Sequence, residues 1–291
     1  MMFGLRRKSA TVVPAGPVLD LSGERLRRAL ADLAAAAGPT GGVERYVTAL
    51  HLKSSLFREL LAEGAAGLTA TEFLDLAAFI APVRRRIGPV FDRMGIERTR
   101  ALIDALLRPG EPADARLAAF VEAFPAGRDM RWVRDLGAEI LHFTFPLMTR
   151  WVWDARVGTG ALREVWHAPD VDAAQITVED DLATFLVLRG EIDGFLAGEG
   201  VFRDRVWYAD LLISHVYAGY INDRGGQYLR NDFTVEGDPM QHTRRMLGLD
   251  AVDTETGRTR LRLVDGSAHE FGGSLRARLD LFSAEDRHAN P

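Results

Sequence analysis

No cysteine occurs in the 291-residue chain. That absence excludes disulfides, thiolate nucleophiles and cysteine-ligated zinc or iron–sulfur centres, so any bound metal must be held by histidine and carboxylate. Lysine is nearly absent too: Lys8 and Lys53 are the only two, which leaves 34 of the 36 basic residues as arginine. Lysine-dependent covalent chemistry is restricted accordingly. With the many alanines, this balance reads as the coding bias of a GC-rich bacterial genome. Long hydrophobic runs are missing as well. The most apolar stretch, 206–221, contains Asp210 and His215, whereas a membrane span needs ~20 predominantly apolar residues. Residues 9–17 contain Pro14 and Pro17 and no apolar run of signal-peptide length. These features predict a soluble, cytoplasmic protein without membrane contact. Basic charge is not in excess either: 41 acids against 36 bases give −5, so nothing draws the whole chain to nucleic acid.

What is present is 47% hydrophobic residues, enough apolar surface for a folded core, and helical periodicity along most of the chain. Ser22 caps an expected first helix with Leu26, Ala29, Leu30 and Leu33 on its apolar face, ended by Gly38-Pro39. A second helix is expected over about 43–63. The third has the sharpest start, because Thr69 and Glu72 have capping-box spacing and Leu68 and Phe73 that of a hydrophobic staple. Further helices are predicted over about 96–107, 113–124, 130–142, from Thr177, over 203–222 and over 239–247. The segment 157–171 reads as irregular, with 162–166 a short strand or turn. Period two appears only late, where Thr259, Leu261 and Leu263 alternate with Arg258, Arg260 and Arg262 before a turn-forming Asp265-Gly266. The expectation is an all-α fold: a multi-helix, orthogonal or bundle-like globular domain with a minor C-terminal β-hairpin. Its divisions would be a flexible arm over 1–17, a helical domain over 18–250 with a subdomain break near 155–175, and a tail over 251–291.

Two constellations suggest chemistry. Glu139-Ile-Leu-His142 puts a carboxylate and an imidazole three residues apart on one helix face, where both can reach one metal ion. Glu164-Val-Trp-His167 repeats the spacing, and di-metal carboxylate bundles use two such pairs. The metal candidates are therefore Glu139, His142, Glu164 and His167. In the apolar helix, Asp210, Ser214 and Tyr217 fall on one stripe, able to floor a ligand pocket or to bury an Asp–Arg pair. Just before the irregular segment, Arg150, Trp151, Trp153 and Asp154 supply rings and a cation that can stack a base or ring ligand. Basic clusters, Arg84-Arg85-Arg86, Arg244-Arg245 and the Arg258/Arg260/Arg262 face, are candidates for phosphate contacts. Residues 224–291 nevertheless hold ten arginines against eleven acids, the balance of a mixed solvated surface. Gly38-Pro39-Thr40-Gly41-Gly42 lacks the Gly-Lys-Ser/Thr ending of a phosphate loop.

In texture, 138–154 resembles the late segment of helix-hairpin-helix DNA glycosylases, where a helix ending in an apolar-His-Phe run is followed by Pro and Asp. The defining apolar-Pro-Gly-apolar-Gly hairpin of that family is absent, since Arg108-Pro109-Gly110-Glu111-Pro112 does not fit it. Its lysine is absent too, and no catalytic residue is carried over. The leading expectation is therefore a helical accessory or interaction protein, with a protein partner or a second copy of itself as its contact, no favoured cofactor and no nucleic acid. The alternatives are a metal-dependent enzyme using histidine and carboxylate in a helical core, and a nucleic-acid or ring-ligand binder using the Trp/Arg segment.

Overall fold

The computed structural model describes residues 16–125, 127, 130–224, 238–252, 258–273 and 275. The expected arm over 1–17 and the end of the tail fall almost wholly outside these residues. The fold is predominantly helical, with no strand assigned among the described residues. Helix α1 spans Gly23–Ala37, and Ser22 caps it by accepting from the Arg25 amide. A 3-10 turn, Gly38–Thr40, leads into α2, Val43–Leu61. Helix α3, Ala70–Ala78, begins at the expected capping box: Thr69 accepts from the Glu72 amide while the Glu72 carboxylate accepts from the Thr69 amide. It stops before Pro82, whose ring cannot continue a helix.

Helix α4, Ile87–Leu107, starts nine residues before the expected position, and Gly95, at φ 73°, breaks it into two arms. Periodicity fixed only the second arm. Helices α5, Ala113–Ala123, and α6, Arg131–Leu141, follow. The segment expected to be a strand or turn is a single helical turn, α7, Ala161–Glu164. Helix α8, Leu182–Gly198, begins later than Thr177 because Asp181 is the residue that caps it, accepting from the Thr184 amide at 2.9 Å. Helices α9, Arg205–Arg224, and α10, Gln241–Met246, complete the set.

Two groupings emerge. Helix α9 touches α1, α2, α7, α8 and α10, which makes it the central post, while α4, α5 and α6 pack on one another. Helix α3 joins them by touching both α2 and α4. One apolar cluster runs through both groups, containing Leu33, Leu61, Phe73, Leu136, Trp153, Phe185, Leu212 and Leu261.

The expected C-terminal β-hairpin needs correcting. A turn forms at Asp265-Gly266, but the pairing around it consists of isolated antiparallel bridges, Arg262 with Ala268 and Val252 with Thr259. The reason lies in where the backbone donors go. Across the turn the Leu263 amide donates to Ser267 O and the His269 amide to Leu261 O, but the Arg260 amide goes to Ala251 O and the Arg262 amide to Arg84 O in the α3–α4 connection, so no continuous ladder forms. Close backbone approach makes this docking possible. A Cβ on Gly88 would sit 2.4 Å from Arg262 O, and one on Gly248 would sit 1.6 Å from Phe79 O. Gly248 also has φ 71°, a conformation glycine adopts without the steric cost other residues carry. Asp75 closes the latch: it accepts from His269 Nε2 at 2.7 Å and from the Gly272 amide.

Candidate functional site

The residues expected to hold a metal do not gather. Glu139, on the buried face of α6, accepts from Lys53 Nζ at 2.8 Å, and Lys53 also donates to Leu247 O. Only 3% and 6% of these two side chains are exposed. His142, capping the same helix, is held at both ring nitrogens. Nδ1 lies 3.1 Å from Phe145 O and Nε2 lies 2.9 Å from Asp210 Oδ2. A carbonyl only accepts, so Nδ1 carries a proton, and the carboxylate draws a second onto Nε2. Burial works against that cation, but the charge and hydrogen bond of Asp210, helped by Glu139, outweigh it and raise the His142 pKa above 6.5. With both ring nitrogens engaged in these contacts, neither is turned toward an open metal position. Glu164 sits at the end of α7, and His167 is exposed with its amide on Asp20 O. Among the described residues no three His, Asp or Glu side chains are placed to hold a metal ion.

The expected ligand stripe also divides. Asp210 does meet a cation, but it is His142 rather than the arginine the sequence suggested, because α6 delivers its C-terminal histidine to that turn of α9. Ser214 turns back to donate to Leu211 O and is fully buried. Trp153 is fully buried, with its Nε1 donating to Val178 O, so its ring faces no open space. Trp151 is buried and its ring lies 6.2 Å from that of Tyr217. Beside Trp151 and Asp210 there is a gap of only ≈ 30 Å³, about the share of one liquid water.

Arg150 and Asp154 line a wider cleft of ≈ 1250 Å³ against α5, α6 and residues 179–181. Its charges are mostly committed to the fold. Arg150 pairs with Asp135, Arg134 with Asp180, Asp181 caps α8, and Asp114 accepts from the Leu182 amide. Burial lifts the Asp135 pKa despite the opposing charge of Arg150.

A different result holds at the α3–α4 connection, where an open groove of ≈ 980 Å³ collects all three basic segments of the sequence. Arg84, Arg85 and Arg86 come from the turn before α4, Arg245 from α10, and Arg258, Arg260 and Arg262 from the docked tail. Among the described residues, the lining sets two carboxylates, Asp250 and Glu270, against these seven arginines. Arg84 is buried and fixed: it donates to Ala78 O, to Gly248 O and to Asp250 Oδ1 at 2.8 Å. Asp250 also faces Arg260, and Glu270 faces Arg258. The electrostatics record the crowding. Desolvation, together with the charges of Arg84, Arg85 and Arg260, lowers the Arg245 pKa although Asp250 opposes it. Asp250 is held below its usual range, since the charge and hydrogen bond of Arg84, with Arg260 and Arg245, outweigh burial.

No protein-family model, curated protein or solved structure matches the chain. The groove stands on its own chemistry. Each of its arginine clusters was visible in the sequence; their convergence was not, because it depends on the Gly88 and Gly248 contacts that bring the tail and α10 against the α3–α4 connection.

Proposed function

We propose that the chain is a helical accessory protein, acting in the cytoplasm, that holds an anionic segment of a partner protein in this groove. The observation that supports it is the gathering of seven arginines against two carboxylates in a chain of net charge −5. Like charges brought together raise the free energy of the folded state, and an anionic partner offsets that cost on binding. Guanidinium forks suit planar carboxylates, which they bind in pairs of parallel hydrogen bonds. A single strand of nucleic acid fits less well, since among the described residues no aromatic side chain lines the groove to stack a base.

Fluorescence anisotropy with labelled polyglutamate tests this reading. Affinity should fall with added salt and collapse in the double variant Arg85→Glu, Arg262→Glu. The reversal Arg156→Glu, in the other cleft, should leave it unchanged. If polyglutamate is not bound even at low salt, or if Arg156→Glu weakens binding as much as the groove variant, the proposal fails.

A further inference from the structure

The groove supplies charge but little to grip an apolar group, since Ala81, Pro82 and Ala268 are its main apolar lining. Arg85 and Arg262 make no side-chain hydrogen bond or ion pair among the described residues, which leaves them available to an anion. Charge of this kind steers and orients a partner, whereas tight complexes draw most of their affinity from a few buried anchors. A place for such an anchor adjoins the groove. Arg86 and Arg262 line the groove, while their close chain neighbours Gly88 and Leu263, which touch each other, line a second depression of ≈ 380 Å³.

The break in α4 at Gly95 puts Phe91 and Asp92 of its first arm and Ile96 of its second on this one depression. Phe91 makes a firm floor, because its ring packs 5.0 Å from that of Phe73, which is fully buried. The docked tail adds Leu263 and Val264, and Val264 is 58% exposed, so covering it removes apolar surface from water. The charge also changes sign. Among the described residues the ionisable groups of this lining are Asp92 and Asp265, and hydrogen bonds from Ser267 hold Asp265 below the usual carboxylate range. A strand of nucleic acid carries a phosphate at every nucleotide and brings the same charge to both places. A polypeptide can change sign from one residue to the next, and because chain neighbours line the two depressions, a short segment spans both.

We infer that the groove and this depression form one two-part site for a partner segment in which a run of acidic residues lies next to a bulky apolar residue flanked by a basic one. The inference rests on the anionic-partner reading above and narrows it to one peptide chemistry. It is tested on the full chain by isothermal titration at low salt. The reference is an acetylated, amidated peptide with a run of glutamates followed by serine, leucine and lysine. One variant carries serine in place of leucine, and another moves the lysine to the far end of the glutamate run. Each is made in both chain directions, and the tighter direction is compared. Loss of the leucine should weaken binding roughly ten-fold, the lower end for burying one such side chain. Moving the lysine should weaken it roughly three-fold. Val264→Asn in the protein should shrink the leucine effect while polyglutamate affinity and circular dichroism stay at wild-type values. Equal affinity for the leucine and serine peptides overturns the anchor while leaving polyglutamate binding, and hence the broader reading, intact. Equal affinity for the two lysine isomers overturns the change of sign. An oligothymidylate of matched charge that binds tighter than the reference peptide overturns the proposal in favour of nucleic acid. The peptide comparisons use the wild-type chain, so they decide even where Val264→Asn fails to fold.

Discussion

Two regions of this molecule handle charge in opposite ways. In the interior, Lys53, Glu139, His142 and Asp210 tie α2, α6 and α9 together, with each cation facing one carboxylate at 2.8–2.9 Å. In the groove, seven arginines face two carboxylates. In the interior set each charge meets an opposite charge: Lys53 pairs with Glu139 and His142 with Asp210. The groove is open and charged beyond what the fold neutralises. Buried ion pairs locate structure here, and unbalanced charge at a wet surface locates the candidate for binding. The cleft lined by Arg150 and Asp154 sides with the interior, since Arg150 is spent on Asp135 and Arg134 on Asp180.

The strongest way to break the comparison is to unbalance the interior. Lys53→Met removes the cation from Glu139 and the donor from Leu247 O. Leaving a buried carboxylate uncompensated should cost about 3–5 kcal/mol of unfolding free energy in urea titration. Adding Glu139→Leu should recover most of it, because replacing both charges by apolar groups removes the desolvation penalty together with the attraction. A double variant as unstable as Lys53→Met alone would show that the pair does more than cancel charge.

The next effect is pH-dependent. The folded-state pKa of His142 is raised above 6.5, the value expected on unfolding. Its pairing with Asp210 therefore stabilises fully below about pH 6.5 and is lost as the pH rises through the elevated folded value. Compared with Asp210→Asn, the wild type should be more stable at pH 6 by about 1.5–3 kcal/mol, the range for hydrogen bonds to charged groups. The gap should narrow at alkaline pH. A gap that widens with rising pH would mean that His142 is neutral in the fold.

How far the sequence foretold these regions follows from the range of the signals involved. The start of helix α3 was legible to the residue, since Thr69 and Glu72 interact across three positions. The early arm of α4 was hidden by Pro89 and by the break at Gly95, which interrupt the period that marks a helix. Glu139 and His142 were read as sharing a face, but their partners are Lys53 and Asp210, 86 and 68 residues away. A local motif cannot say whether its side chains are already engaged. The groove shows the converse. Its arginines were all noticed, yet a charge balance over 224–291 left out Arg84, Arg85 and Arg86, which line the same groove.

The smallest effect sharpens the comparison from the other side. Interior charges hold the fold together, whereas groove arginines without partners should cost it a little. Arg85→Gln and Arg262→Gln are surface changes, each expected within about 0.5 kcal/mol of wild type, and the expected sign is stabilising, because each removes one like charge from the arginine-rich lining of the groove. Salt supplies the check. At ~0.1 M the screening length is about 10 Å, short enough to damp repulsion between exposed guanidinium groups. Raising salt should therefore bring the thermal midpoints of wild type and double variant together, while leaving the deficit of Lys53→Met untouched, since a buried pair is screened far less. If the double variant instead melts lower than wild type at every salt concentration, Arg85 and Arg262 contribute to the fold, and the division between a closed interior and an open groove is drawn in the wrong place.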